Sequence, residues 1–123
     1  MNWIYVFIGG GLGSVCRFGL SQLFRSASLK LPVATLMANV IASLVLVLAI
    51  IYIQKNSMAQ SYLPYLLVIG FCGGLSTFST FSWETFALFR AGQDVWAWMN
   101  ILLNVILSIA VIFMLAKHLQ PQQ

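Results

Sequence analysis

The chain has 123 residues, of which 61% are hydrophobic and 7% are charged, and its mean hydropathy is +0.95. Soluble domains carry about 25% charged residues, so this composition argues against an ordinary soluble enzyme. It also excludes a disordered chain, because disordered segments are polar and highly charged. The net charge of +4 does not predict nucleic-acid binding, since the six basic side chains are scattered singly along the chain.

Four long apolar segments follow one another, separated by short polar stretches. A helix needs about 20 apolar residues to cross the hydrocarbon core of a bilayer, and each segment has that length. We therefore predict an all-α integral membrane protein with one domain over residues 1–123. Its four transmembrane helices are expected at about 3–24, 33–54, 62–89 and 95–116.

The third segment is longer than one straight span requires. Its roughly 28 residues would form about 42 Å of helix against a hydrocarbon core of about 30 Å. Tilting is one way to absorb such an excess, and a helix broken at Gly73-Gly74 is another. We favour the break, because Ser76 and Thr77 follow the glycines and can bind the backbone groups that a break frees.

The basic residues give the chain little preference for one orientation in the membrane. Arg25, Lys30 and Arg90 lie in the first and third loops. Lys55 and Lys117 lie on the opposite side. Because the positive-inside rule then favours neither orientation, the chain is expected to insert both ways. If it dimerises, an antiparallel pair with a two-fold axis in the membrane plane becomes possible.

Arg17 lies near the middle of the first segment, where an ionised guanidinium costs at least about 2.5 kcal/mol on insertion scales. Such a group normally faces protein or a water-filled cavity. Two interpretations stand side by side. Arg17 either forms a vestibule that attracts anions, or it snorkels or pairs with the carbonyl end of a helix.

Small and polar residues mark the other segments. Gly9 and Gly13 form one G-x-x-x-G pair, and residues 70 and 74 form another, which predicts close helix packing. Asn39 lies at the centre of the second segment. In the fourth segment Asn104 and Ser108 are one turn apart, with a further asparagine one turn earlier. A single such residue often only bonds a neighbouring helix, but three on one stripe exceed that expectation.

The densest cluster of aromatic and hydroxyl side chains follows the predicted break. Phe78, Phe81 and Ser82 share one helical face by their i, i+3, i+4 spacing, and Ser79 and Thr80 add hydroxyls nearby. A hydroxyl donates a hydrogen bond, and a phenyl ring presents a positive edge to negative charge. This face therefore suits a small anion better than a cation, with an ordinary core aromatic stripe as the alternative.

Residues 70–81, GFCGGLSTFSTF, resemble the third-helix motif G-x-C-G-G-[LF]-[ST]-T-F-S-T-F of the Fluc-type (CrcB-type) fluoride channels at every position. Gly13 and Arg17 are similar to that family's G-x-x-G-x-x-x-R, and Asn39 to its second-helix asparagine. The resemblance covers essentially the whole chain.

The resemblance implies an antiparallel, dual-topology homodimer with two fluoride pores. Phe78 and Phe81 would line the pores with their ring edges, and Asn39 would be the pore asparagine. Arg17 would lie near an aqueous vestibule, and Glu84 is similar to the carboxylate that follows the motif. The remaining pore residues are expected to be Ser79, Thr80, Ser82, Asn104 and Ser108.

The resemblance also implies a metal ion. The helix breaks of both subunits would meet at the centre of the dimer, where backbone carbonyls of Gly73 and Ser76 would hold a structural sodium ion. Unsatisfied carbonyls buried in a bilayer need a partner, and an oxygen cage suits a hard cation.

The expected function is passive export of fluoride across the bacterial inner membrane, which would give fluoride resistance. Fluoride is strongly hydrated, so a dry pore has to replace its water, and conduction needs sites that also release the ion. The expected partners are fluoride, sodium, membrane lipid and a second copy of the chain, with no nucleic acid. We find no acid–base pair or nucleophile in the sequence that would predict an enzyme.

Two other classes of protein remain as alternatives. A small dual-topology multidrug or cation exporter shares the four spans and the length. Proton-coupled exchange there needs a carboxylate deep in the first helix, whereas Glu84 and Asp94 are the only acidic residues of this chain. A non-transporting helical assembly subunit is the third class, because tight glycine packing alone would explain it.

Overall fold

A computed structural model describes residues 1–27 and 29–119 of the chain. These residues form the helices α1 (Asn2–Leu23), α2 (Val33–Lys55), a π-helix (Pro64–Cys72), α3 (Gly73–Leu75), α4 (Phe78–Arg90) and α5 (Asp94–Leu119), and no strand occurs among them. Four helical stretches are long and apolar enough to cross a membrane, the third being Pro64–Arg90. The predicted all-α architecture with four membrane-length helices is therefore confirmed, and α5 runs three residues past its predicted end to Leu119.

The first half of the third span has π-helical hydrogen bonding, which was not predicted. Pro64 stands at its first turn, where a missing N–H leaves no bond unmade. Hydropathy reports only how apolar a segment is, so it does not distinguish a π-helix from an α-helix.

Glycines bring α1 and the π-helix into backbone contact. A Cβ atom on Gly9 would collide with the carbonyl oxygen of Leu66, and one on Gly13 with that of Phe71. Gly74 of α3 approaches the α1 backbone in the same way. The predicted role of the G-x-x-x-G pairs in close packing is confirmed. These contacts hold the backbone of the third span against α1 as far as Gly74.

The remaining contacts place α2 between the other helices. α2 packs mainly against α5, and also against the π-helix and α1. Ala38, Ala42 and Leu75 form the buried core cluster. Large apolar side chains such as Phe7, which is 82% exposed, face outward from the helices. In a bilayer these faces meet hydrocarbon rather than water, so their exposure fits a membrane-spanning protein.

A tight turn connects α4 to α5 and reverses the direction of the chain, so that the two helices pack against each other. Gly92 has a φ of 68°, and its N–H donates to the Phe89 carbonyl at 3.0 Å. The Gln93 N–H donates to the Leu88 carbonyl at 2.9 Å. Glycine adopts this left-handed conformation without steric cost. The turn sets α4 and α5 antiparallel, and side chains from both helices can therefore meet.

Candidate functional site

The third span breaks at Ser76 and Thr77, whose ψ angles of 152° and 123° are those of extended chain. The predicted break is therefore present, but it lies just after the Gly73-Gly74 pair, which stays helical and of which Gly74 packs against α1. Thr77 is the N-cap of α4, because its Oγ1 accepts a hydrogen bond from the Thr80 N–H at 3.3 Å. The chain leaves one helix and starts the next within two residues.

Asn39 of α2 holds the broken backbone. Its Oδ1 accepts from the Thr77 N–H at 2.8 Å, and its Nδ2 donates to the Thr77 carbonyl at 3.4 Å. A backbone amide that loses its helical partner inside a bilayer needs another one. The Asn39 side chain supplies that partner from a different helix.

The break leaves the last four carbonyl oxygens of the helix before it, those of residues 73–76, without a helical N–H donor, and the Gly74 oxygen accepts from Arg17 instead. In a continuous helix the Thr77 N–H would bond the Gly73 carbonyl, but it donates to Asn39 instead. The Thr80 N–H would bond the Ser76 carbonyl, but it donates to Thr77 Oγ1. Within residues 1–27 and 29–119 no group of three or more His, Cys, Asp or Glu side chains could hold a metal ion. The released backbone oxygens are of the kind that hard cations accept as ligands.

Side-chain hydrogen bonds continue from Asn39 across to α5 and α4. Asn39 Nδ2 donates to Asn104 Oδ1 at 2.8 Å, and Asn104 Nδ2 donates to Asn100 Oδ1 at 2.9 Å. Asn100 Nδ2 donates to Thr85 Oγ1 at 2.9 Å, and the Thr85 hydroxyl donates to the Phe81 carbonyl at 2.8 Å. Asn104, Asn100 and Thr85 are all buried. We call the side chains of Asn39, Asn104, Asn100 and Thr85 the amide relay.

Phe78 and Phe81 stand together on the first turn of α4. Their ring centroids are 5.7 Å apart and the ring planes meet at 46°. Phe78 is 79% exposed, whereas Phe81 is partly buried. Ser82 Oγ donates to the Phe78 carbonyl at 2.8 Å, and Ser79 Oγ lies 3.4 Å from Thr77 Oγ1. The rings and hydroxyls thus form one patch that is open on the outside of this chain.

A cavity of about 340 Å³ lies beside the break, between α1, α2 and α4. Arg17 lines it, and its Nε donates to the Gly74 carbonyl at 3.1 Å. The guanidinium thus pairs with a carbonyl at the end of a helix, as one interpretation of Arg17 expects, and it also borders a cavity, as the vestibule interpretation requires. The other lining residues are Ser14, Phe18, Ser21, Ala34, Thr35, Thr77, Thr80 and Glu84.

Glu84 places a carboxylate at the same cavity. The Thr35 hydroxyl donates to Glu84 Oε1 at 2.8 Å. The second oxygen, Oε2, is buried and has no hydrogen-bond partner among the described residues. Arg17 and Glu84 therefore border one space, so an ion in the cavity meets a guanidinium and a carboxyl group.

The structure brings together most of the predicted site residues, but not all of them. Phe78 and Phe81 lie on the first turn of α4, Asn39 binds the N-cap Thr77 of that helix, and Asn104 is hydrogen-bonded to Asn39. Ser108 lies one turn beyond Asn104, is partly exposed, and is absent from the residues that line the cavity. Sequence reasoning gave no role to Thr35, since nothing in the spacing of an isolated threonine in an apolar helix indicates that it bonds a carboxylate 49 positions away.

The same region of the chain matches known proteins. A family model described as "CrcB-like protein, Camphor Resistance (CrcB)" matches residues 4–116, which include the break, the amide relay and the cavity.

Among similar proteins, "Fluoride-specific ion channel FluC 1" of Yersinia pestis is 42% identical over 106 residues, covering 86% of this chain and 84% of the relative. "Fluoride-specific ion channel FluC" of Escherichia coli O1:K1 / APEC is 41% identical over 104 residues, covering 85% and 82%. The protein of the same name from Salmonella arizonae is 39% identical over 106 residues, covering 86% and 84%.

Proposed function

This chain belongs to the CrcB-like family, and we propose that it is a fluoride-specific ion channel. It is a multi-pass bacterial membrane protein, and its named relatives are ion channels rather than enzymes. The observation that carries the proposal is the first turn of α4, where two adjacent phenyl rings, several hydroxyls and a side-chain amide surround one backbone break.

The chemistry of this turn fits a small, strongly hydrated anion. Phe78 and Phe81 offer the positive edges of their rings. Asn39 offers an N–H that makes only a long contact, 3.4 Å, with the Thr77 carbonyl. Because a hydrogen bond of that length is weak, an anion can compete with the Thr77 carbonyl for this N–H while the amide keeps its other two bonds. Together these groups would replace the water that fluoride leaves behind.

The cavity beside the break would serve as the vestibule. A positive charge in a cleft raises the local concentration of anions. The Arg17 guanidinium has five N–H donors, and Nε uses one of them to bond the Gly74 carbonyl. That bond holds the charge in place at the cavity wall, and the rest of the guanidinium is available to an approaching anion.

A second copy of the chain would enclose the rings. Phe78 is 79% exposed, and Gly73, Ser76 and Ser79 are exposed near it. A dry pore cannot leave this patch open to lipid. In an antiparallel pair each copy would cover the patch of the other, which gives one enclosed patch on each side of the interface. The nearly equal numbers of basic residues on the two sides of the membrane permit both orientations. We therefore propose an antiparallel homodimer with two pores.

A sodium ion at the dimer centre fits the released carbonyls. The Gly73 and Ser76 oxygens of both copies would hold it, since neither receives the helical N–H that a continuous helix would supply. Hard cations prefer such oxygen ligands. When bound, the ion would supply positive charge that ties the two breaks together.

Transport through this site would be passive. In a small multidrug exporter, exchange of cations for protons needs a carboxylate deep in the first span, and α1 contains none. Passive conduction across a membrane that is negative inside drives fluoride outward, so the channel would protect a bacterium from fluoride at its inner membrane.

Fluoride release from proteoliposomes tests the proposal. Purified protein is reconstituted into fluoride-loaded vesicles, and an ion-selective electrode follows release. Wild-type protein is expected to release fluoride, and Phe81→Ile to abolish release while size-exclusion chromatography still shows the dimer. Phe113→Ile, which changes a ring on the exposed side of α5, is the matched control and should behave as wild type. Fluoride retained by well-folded wild-type protein would overturn the proposal, and uptake of a quaternary amine would favour the exporter instead.

A further inference from the structure

We propose that Asn100 and Thr85 are positioning residues for the fluoride pathway. Through the amide relay they set the direction in which Asn39 presents its amide, and they hold the first turn of α4. The inference rests on the proposed function, and it concerns two residues that need not touch the ion. Asn100 is 0% exposed, so it acts through its neighbours.

The two ends of the relay bracket the aromatic turn. At one end Asn39 binds the backbone N–H and carbonyl of Thr77. At the other end the Thr85 hydroxyl donates to the Phe81 carbonyl. Phe78 lies between these anchor points, so the backbone that carries both rings is tied to α2 at one end and to α5 at the other.

The relay has a defined direction. Asn104 Nδ2 donates to both the Oδ1 and the backbone carbonyl of Asn100, at 2.9 and 3.0 Å. Asn104 must therefore present its Oδ1 to Asn39, and the Nδ2 of Asn39 donates a hydrogen bond to it. A flipped Asn39 would set two oxygens against each other and leave the Thr77 N–H facing an N–H group. Thr85 fixes the direction of the bonds at the other end of the relay. Its hydroxyl donates to the Phe81 carbonyl, so it can only accept from Asn100 Nδ2.

This direction matters for an anion. With the relay intact, Asn39 keeps an N–H in its long contact with the Thr77 carbonyl, and fluoride can compete for this donor without rotation of the amide. With Asn39 flipped, a carbonyl oxygen would take that place and repel the ion. In a region of low dielectric, a polar group of the wrong sign is costly. Asn100 and Thr85 therefore select the polarity that an anion needs.

Thr85→Val and Thr85→Ser test the inference. Valine keeps the volume of threonine but removes its hydroxyl, whereas serine keeps the hydroxyl. We expect Thr85→Val to release fluoride about tenfold more slowly per assembled protein, the effect of about one lost hydrogen bond. Thr85→Ser is expected to restore most of the rate. The side-chain amide signals of Asn39, observed by nitrogen-15 NMR, should shift in Thr85→Val and return in Thr85→Ser.

Each outcome decides the matter. Wild-type release by Thr85→Val, or slow release that serine does not restore and that leaves the Asn39 signals unchanged, would overturn the inference. If Thr85→Val fails to assemble, Thr85→Cys replaces it, and its weakly bonding thiol should place its rate below that of Thr85→Ser; equal rates would overturn the inference. Wild-type protein that retains fluoride would defeat the proposed function instead, while the Asn39 signals would still report whether Thr85 orients that amide.

Discussion

The Asn39 side chain binds both backbone polar atoms of Thr77, accepting from its N–H at 2.8 Å and donating to its carbonyl at 3.4 Å. Asn39 thereby takes the place of the helix at the point where the third span breaks. The N–H of Thr77 would otherwise be left without its helical partner inside a bilayer, where an unpaired backbone group costs several kcal/mol. The break is therefore stabilised by a residue of α2 rather than by its own neighbours.

Asn39→Ala should weaken both folding and transport. It leaves the Thr77 N–H unpartnered, which should lower stability by about 1–3 kcal/mol, and it removes the donor proposed for fluoride. Thermal unfolding in detergent and fluoride release measure the two effects. Ser43→Ala is the matched control, because Ser43 Oγ lies one turn further along α2 and bonds only the Asn39 carbonyl of its own helix. Equal unfolding midpoints for the two variants would contradict the role given to Asn39.

Hydropathy was sufficient to predict the four spans because the thickness of the bilayer sets the length of an apolar helix. The break was also predictable, since the third segment is too long and contains two adjacent glycines. Its position was not. Gly74 is needed for contact with α1, so the chain turns later, at Ser76 and Thr77, where Asn39 can supply the missing partner. That partner is 38 positions away, and sequence spacing does not reveal it.

The same limit applies to the site. The helical spacing of Asn100 and Asn104 correctly placed them on one stripe of α5, as their mutual hydrogen bond shows. Which helix this stripe would face was not predictable. Asn100 reaches the Thr85 hydroxyl because the turn at Gly92 packs α5 against α4. Ser108 continues the stripe in sequence but lies beyond the relay. Periodicity identifies a face, whereas the packing of the other helices decides which part of that face is used.

Gly13→Ala should strongly destabilise the protein. A Cβ there meets the Phe71 carbonyl and the Leu75 amide, both backbone atoms that cannot move aside independently. The helices would have to separate, at a cost of about 1–3 kcal/mol or more for overpacking. Gly11→Ala is the matched control on the same helix, because a Cβ at Gly11 meets open space, and alanine favours a helix over glycine by about 1 kcal/mol.

Thermal unfolding of both variants in detergent distinguishes these effects. The midpoint of Gly13→Ala should fall well below that of the wild type, and the midpoint of Gly11→Ala should stay level or rise. Equal losses of stability in both variants would mean that glycine flexibility, rather than close backbone contact, explains the requirement at Gly13.

Arg17→Gln should slow fluoride release on the order of tenfold, because the charge at the cavity no longer concentrates anions. Release by the wild type should fall as a non-permeant salt is added, and Arg17→Gln should lose most of that dependence. Arg17→Lys keeps the charge but lacks the planar Nε donor that bonds Gly74, so its rate should lie in between. Arg25→Gln is the control, since Arg25 is exposed and lies outside the cavity. The same salt dependence in all four proteins would rule out Arg17 as the source of attraction.

Sodium should stabilise the assembled protein if the released carbonyls are its ligands. A ligand at a hundredfold its dissociation constant adds about 2.7 kcal/mol of stability, so the unfolding midpoint of sodium-free protein should rise as sodium is titrated in. Choline at equal ionic strength is the control for salt. Asn39→Ala provides a sharper comparison, because Asn39 holds the Thr77 backbone in the extended form that keeps the Gly73 carbonyl free of a helical N–H. An unfolding midpoint that is equal in sodium and in choline would rule out a bound sodium ion. If sodium raises the midpoint of Asn39→Ala as much as that of the wild type, sodium binds at a site other than the Gly73 carbonyl.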